Sequence, residues 1–140
     1  MGKFLRFLLL SCSLVSCNCG NSTTSFKHEY SEVTQMMISY SEVFNINKPY
    51  YYIYYYQVDC YHCHGIKSKV IDFALRHNEE FYFIEITEDK GFLSRTKEET
   101  IGTNDPLKAF ALMTPQLSFV ERGFIKETYI GNEEILNIIE

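Results

Sequence analysis

No tryptophan occurs in this 140-residue chain, although it carries 11 tyrosines and 11 phenylalanines. Phe and Tyr must therefore fill the large positions of any core or strand. No stretch has the low-complexity composition of a disordered protein, and no internal repeat marks a solenoid. The longest N-terminal apolar run, residues 7–15, is too short for a membrane-spanning helix, which needs about 20 residues. Positive charge is in deficit, with 13 Lys and Arg against 18 Asp and Glu, a net charge of −5. That balance argues against a nucleic-acid partner and against polybasic attachment to anionic lipid. Five cysteines are present, but their placement does not suit a disulfide scaffold. What remains is an apolar content of 46%, normal for a globular core, on a chain with room for one domain.

The first sixteen residues read as an export signal. Lys3 and Arg6 form a positive n-region and Phe7 to Val15 the apolar stretch. The run closes on Leu14-Val15-Ser16-Cys17, which resembles the lipobox of bacterial lipoproteins. Small side chains before Cys17 would let the backbone enter a peptidase cleft. The resemblance implies lipidation of Cys17 and anchorage at the outer face of the cell membrane, each buried methylene contributing about 0.8 kcal/mol. An ordinary secretory signal with a stray cysteine is the alternative. Loss of residues 1–16 removes Lys3 and Arg6, so the mature chain goes from −5 to −7. Residues 17–29 then form a polar tether, with Cys19 a bystander in it, and residues 30–140 form the domain.

Along that domain, Tyr30, Val33, Met37, Tyr40 and Phe44 alternate three and four apart, predicting an amphipathic helix that ends by Pro49. Tyr50 to Val58 is a continuous Tyr, Ile and Val run, the pattern of a strand buried on both faces. A helix follows, with Ile66, Val70, Phe73 and His77 along one side and Ile71 and Ala74 beside them. Phe81 to Ile86 reads as the next strand, and residues 87–105 as a charged segment with a short helix near Leu93 to Ile101. Leu107 to Leu112 predicts another short helix. Gln116 to Val120 and Phe124 to Ile130 read as a hairpin, and residues 132–139 as a final helix with Ile135, Leu136 and Ile139 inward. The order suggests an α/β domain, a mixed sheet covered by helices.

Asp59-Cys60-Tyr61-His62-Cys63 joins the buried strand to a helix, and Thr114-Pro115 opens a strand some fifty residues later. With the closing hairpin, Gly131 and the last helix, this pattern resembles the thioredoxin superfamily over about residues 30–140. The resemblance implies a thioredoxin-like fold and a thiol-disulfide oxidoreductase needing no bound cofactor. Cys60 would be the nucleophile, at a helix N-terminus where unpaired N–H groups favour an anion. Cys63 would be the resolving thiol, and Thr114-Pro115 a cis-proline loop beside which a substrate chain pairs. Thioredoxins carry Gly-Pro between their cysteines, whereas disulfide isomerases and bacterial disulfide oxidases carry His before the second. His62 would stabilise the Cys60 thiolate, favour the reduced protein and so make the disulfide a stronger oxidant. Exported proteins or peptides are the implied substrates, with residues 87–106 the place for partner selection.

Two departures from the family stand out. Tyr54 occupies the position of the buried carboxylate that helps deprotonate the resolving thiol, and Asp59 stands where a Trp usually precedes the pair. Asp59 itself disfavours an adjacent thiolate. Glu85 on the next strand is a candidate substitute, though a strand Glu more often faces outward. Three other readings compete. Cys60-x-x-Cys63-His64 fits c-type haem attachment, with His64 on iron and a distal ligand among Met36, Met37 and Met113. A zinc site from the cysteines and a histidine is weaker, because His62 and His64 lie too close together and no second CxxC exists. An accessory protein that holds an exported peptide on its sheet, without catalysis, is the third.

Overall fold

A computed structural model describes residues 27–77, 80–87 and 91–140. The segment read as signal peptide and most of the tether, including Cys17 and Cys19, lie outside the described residues. Two 3-10 helices, Tyr30–Met36 and Tyr40–Glu42, precede strand β1 (Tyr50–Tyr56), helix α1 (Tyr61–Arg76) and strand β2 (Phe81–Glu85). Helix α2 (Lys97–Thr100), a 3-10 turn (Pro106–Lys108), strands β3 (Gln116–Glu121) and β4 (Phe124–Ile130), and helix α3 (Gly131–Ile139) complete the chain. The sheet order is β2-β1-β3-β4. β1 pairs parallel with β2, Tyr54 opposite Phe83, and antiparallel with β3, Tyr54 opposite Leu117. The mixed sheet follows from the connections: α1 supplies the crossover that the parallel β1–β2 pair needs, and Arg122-Gly123 the turn of the antiparallel β3–β4 hairpin.

Strand β1 explains the tyrosine run. Successive side chains point to opposite faces of a sheet, and both faces here are covered. Tyr54 and Tyr56 enter a core with Cys63, Ile66, Val70 and Ile71 of α1 and Ile135 of α3. Tyr51, Ile53 and Tyr55 enter a second core with Val43, Phe92, Phe110, Val120 and Ile125. Every side chain from Ile53 to Tyr56 is buried, so the strand has no solvent-facing side and alternation with polar residues is absent. Helix α1 buries Ile66, Val70, Ile71 and Ala74, a stripe of the spacing that brings one helical face onto the sheet.

Several elements differ from the sequence reading. The predicted helix over residues 30–44 is two short 3-10 helices, because Met37 turns extended and bridges to Phe83 while the Ile38 N–H donates to the Phe83 carbonyl. Covering the outer edge of β2 outweighs helix continuity there. β1 stops at Tyr56, and the Cys60 N–H closes a turn onto the Gln57 carbonyl, leaving Val58 exposed. His77 is not on the inward side of α1; it is the exposed C-cap. Only Lys97–Thr100 of the 93–101 stretch is helical, started by Thr96 and Glu99 in a reciprocal cap. Residues 107–112 do not continue as a helix. Ala109 to Ala111 are buried without regular structure, and Leu112 takes φ 57°, a left-handed conformation that interrupts a helix.

Candidate functional site

Helix α1 begins at the cysteines. Cys60 is its N-cap, extended at φ −78° and ψ 112°, and its sulfur accepts the Cys63 N–H at 3.1 Å. Cys60 and Cys63 are joined as a disulfide, their Cα atoms 5.2 Å apart. The two ends of that bond differ in environment. Cys60 is half-buried and borders a cleft, whereas Cys63 is 1% exposed among the tyrosines of β1. An incoming sulfur therefore meets Cys60 first. Sixteen residues of aligned peptide dipole and the unpaired N–H groups of the first turn favour negative charge at Cys60. The first turn holds no acidic residue that would oppose this.

Thr114-Pro115 lies directly across from the pair. The peptide bond is cis, and the Thr114 carbonyl oxygen sits 3.5 Å from Cys60 Sγ. Thr114 Oγ1 donates to Gln57 Oε1 at 3.0 Å, tying the loop to the turn before Cys60. The Gly131 N–H donates to the Pro115 carbonyl at 3.0 Å, so the start of α3 holds the other side. Gly131 takes φ 82° in this tight passage from β4 to α3, a conformation that suits glycine.

His62 is exposed on the first turn, stacked edge-on against Tyr61. His64 serves the turn instead: its Nε2–H donates to the Val58 carbonyl at 2.7 Å. With both sulfurs in one disulfide and His64 engaged with Val58, the C-x-x-C-H pattern is built as a capped helix start. Asp59 is exposed and does not cap the helix. It lines the cleft beside Cys60 together with Gln57, Val58, Glu85, Ile86 and Thr87. Of the segment read as partner-selecting, Thr87 reaches this cleft, while Phe92 is buried against Phe110 under the opposite face of the sheet.

Tyr54, at the position of the family's buried carboxylate, is fully buried. Burial pushes its ionisation far up and holds it neutral. Tyr30 faces it without meeting hydrogen-bond geometry and is pushed up to about 12, again chiefly by burial. Tyr30 stacks on Tyr56 at 3.8 Å between centroids, and the Tyr56 hydroxyl donates to Glu85 Oε2 at 3.4 Å. Glu85 is thus outward-facing, as strand glutamates usually are, yet it stands in the cleft with Cys60. Buried Lys67 pairs with Glu29 and lies 5.8 Å over the Tyr30 ring.

Three residues shape the site in roles that the sequence does not announce. Gln57 carried no signal, being one polar residue after a strand. His64 was weighed only as a metal ligand. Gln116 did carry one, as a polar residue directly after Thr-Pro in an otherwise apolar strand; it is fully buried.

No family model and no curated protein matches the chain. Solved structures do. Oxidised mitochondrial thioredoxin 3 from Saccharomyces cerevisiae superposes with a TM-score of 0.55 at 13% identity, over 76% of this chain and 93% of that one. Thioredoxin f2 from Chlamydomonas reinhardtii gives 0.53 at 8% identity, over 74% and 89%. Fasciola hepatica thioredoxin gives 0.50 at 20% identity, over 70% and 85%. The chain has the thioredoxin fold, an α/β mixed sheet covered by helices, with a cysteine pair at its strand-to-helix junction.

Proposed function

We propose that this protein is a thiol-disulfide oxidoreductase of the oxidase or isomerase type, acting outside the cell membrane on exported proteins or peptides. The observation that carries the reading is Cys60 itself: half-buried, at the N-terminus of a sixteen-residue helix, bonded to a buried partner and 3.5 Å from the Thr114 carbonyl. Around it Val58, Tyr61, Leu112 and Met113 are exposed apolar side chains, with Tyr61 85% exposed. Such a rim suits an unfolded polypeptide better than a small polar disulfide.

In the oxidising direction a substrate thiolate attacks Cys60 Sγ. The Cys60–Cys63 bond breaks, its electron pair leaves on Cys63, and that sulfur takes a proton. A second substrate thiolate then attacks the substrate sulfur of the mixed disulfide. The substrate disulfide forms and Cys60 departs as a thiolate, held by the Cys63 N–H and the helix dipole. Two electrons pass from substrate to protein. Isomerisation starts from the reduced pair: the Cys60 thiolate attacks a substrate disulfide and displaces one substrate thiolate. Another substrate thiolate then attacks the substrate sulfur of the mixed disulfide and releases Cys60, with no net transfer of electrons. His62, exposed on the first turn two residues after Cys60, supports the oxidising direction by the resemblance of its position to that of disulfide isomerases and oxidases. Export and lipidation at Cys17 rest on the N-terminal sequence pattern.

The test is a redox titration of the chain from residue 20 onward in graded glutathione buffers, with free thiols alkylated and counted by mass. A two-thiol transition at about −180 to −120 mV supports oxidation or isomerisation. A transition near about −270 mV makes the protein a reductase, and the absence of any transition removes the enzyme.

A further inference from the structure

The loop bearing Thr114 is held from inside by one side chain. Gln116 Oε1 accepts the Ala111 N–H at 2.9 Å, and Gln116 Nε2 donates to the Ala109 carbonyl at 2.8 Å and to Ser118 Oγ at 2.9 Å. Its carboxamide thereby clamps the chain on the far side of Leu112-Met113-Thr114. Beyond it the hydrogen bonds continue through the core. Ser118 Oγ lies 3.3 Å from Thr128 Oγ1, which lies 2.7 Å from Thr100 Oγ1, and Thr100 donates to the Lys97 carbonyl at 2.6 Å.

That last bond orders the protons of the whole chain. Thr100 has spent its hydrogen on Lys97, so it accepts from Thr128. Thr128 in turn accepts from Ser118, whose oxygen accepts from Gln116. All four side chains are buried, none above 5% exposed. A buried polar network satisfied in this way fixes one arrangement of the backbone it touches.

The segment so fixed has an unusual conformation. Leu112 sits at φ 57°, a region a branched apolar residue adopts only when its surroundings impose it. Leu112 and Met113 are nevertheless exposed, at 37% and 47%. Strain of this kind, held by an internal clamp, leaves both apolar side chains partly displayed beside Thr114.

We propose that Gln116 is a positioning residue for polypeptide recognition: it holds Leu112-Met113 as a preformed apolar contact for a substrate residue flanking the reacting cysteine. The contact selects extended chains with an apolar side chain next to cysteine over small disulfides such as oxidised glutathione. This inference rests on the function proposed above, and its test separates the two.

The probe is a fluorescent ten-residue peptide with Leu on both sides of a Ser in place of cysteine, which binds without redox chemistry. Its affinity for the oxidised protein is read by anisotropy, next to the rate of electron exchange with glutathione. Gln116→Met keeps the volume and removes the clamp. Leu112→Asn keeps a residue that tolerates positive φ, at an exposed position, and removes the apolar contact. Both variants are expected to weaken peptide binding tenfold or more, and by at least fivefold more than they slow electron exchange with glutathione. Peptide affinity unchanged in either Gln116→Met or Leu112→Asn, or equal losses toward peptide and glutathione, overturns the inference, as does failure of the native protein to bind the peptide. Normal peptide binding that Leu112→Asn abolishes, in a protein showing no thiol transition, upholds the contact and removes the oxidoreductase instead.

Discussion

Two neighbouring tyrosines of β1 should respond to the same substitution with opposite signs. Tyr55 is fully buried, stacked on Phe110 with ring centroids 5.3 Å apart, and its hydroxyl has no hydrogen-bond partner among the described residues. Tyr51 is equally buried, but its hydroxyl donates to the Val43 carbonyl at 2.7 Å. A buried hydroxyl without a partner costs about 1–3 kcal/mol in lost hydration. Removing it in Tyr55→Phe recovers that penalty less the contacts of one oxygen, a net stabilisation of about 1 kcal/mol. Tyr51→Phe loses a buried hydrogen bond and strands the Val43 carbonyl, a destabilisation of about 1–2 kcal/mol. The two variants should therefore lie about 2–3 kcal/mol apart, roughly 4–8 °C in Tm for each kcal/mol in a domain of about 100 residues. Urea unfolding followed by circular dichroism reads this directly, and the slope with denaturant should be unchanged in both. A Tyr55→Phe variant less stable than the native protein by about 1 kcal/mol would refute the reasoning, because the hydroxyl would then have to be making a bond worth more than its burial costs.

Other outcomes follow from the site and its surroundings. Replacing His62 by Pro should shift the potential of the cysteine pair toward that of thioredoxins; an unchanged potential in the glutathione titration removes His62 from the direction of the reaction. Cys63→Ala should accumulate a mixed disulfide when its Cys60 thiolate attacks a disulfide-linked peptide and displaces the other half as a thiol, visible by mass, whereas Cys60→Ser should form none, since Cys63 is buried. Tyr30 and Tyr51 are both pushed up to about 12 by burial, against about 10 in an unfolded chain. The unfolded state thus releases protons first, so stability is fully present below about pH 10 and falls as pH rises toward 12. The buried tyrosines should therefore ionise together with unfolding on alkaline titration, and ionisation of all 11 tyrosines in a still-folded protein would contradict the burial argument.

How far the sequence exposed this arrangement depended on the range of the interactions involved. β1, α1, the hairpin and the last helix follow from local pattern, because their hydrophobic faces are set by neighbours one turn or two residues away. The 30–44 region shows the limit. Its apolar spacing is helical, but Met37 and Ile38 find partners on β2, more than forty residues on, and the strand edge wins. Within the site, the cysteines and Thr114-Pro115 were legible because their residue types are rare and chemically committed. The meeting of Thr114 with Gln57, and of His64 with Val58, depends on where the loop after β1 turns back. Nothing in one-dimensional spacing encodes that.

The two sulfurs of this site lie in unequal surroundings. A charge on Cys60 is met by a backbone N–H, a helix N-terminus and the edge of solvent. A charge on Cys63 would be met by apolar side chains and by Tyr54, whose hydroxyl burial keeps protonated. The carboxylates that remain, Asp59 and Glu85, line the cleft outside Cys60 and do not lie beneath Cys63. Those carboxylates oppose a thiolate on Cys60 while the backbone N–H and the helix N-terminus favour it, and Cys63, among apolar side chains, has neither donor to hold a charge. Resolution of a mixed disulfide by Cys63 is the step that suffers, while attack by a second substrate thiol does not need it. Under the function proposed above, slow resolution leaves the mixed disulfide open to another of the substrate's own cysteines, the step that disulfide formation and isomerisation share.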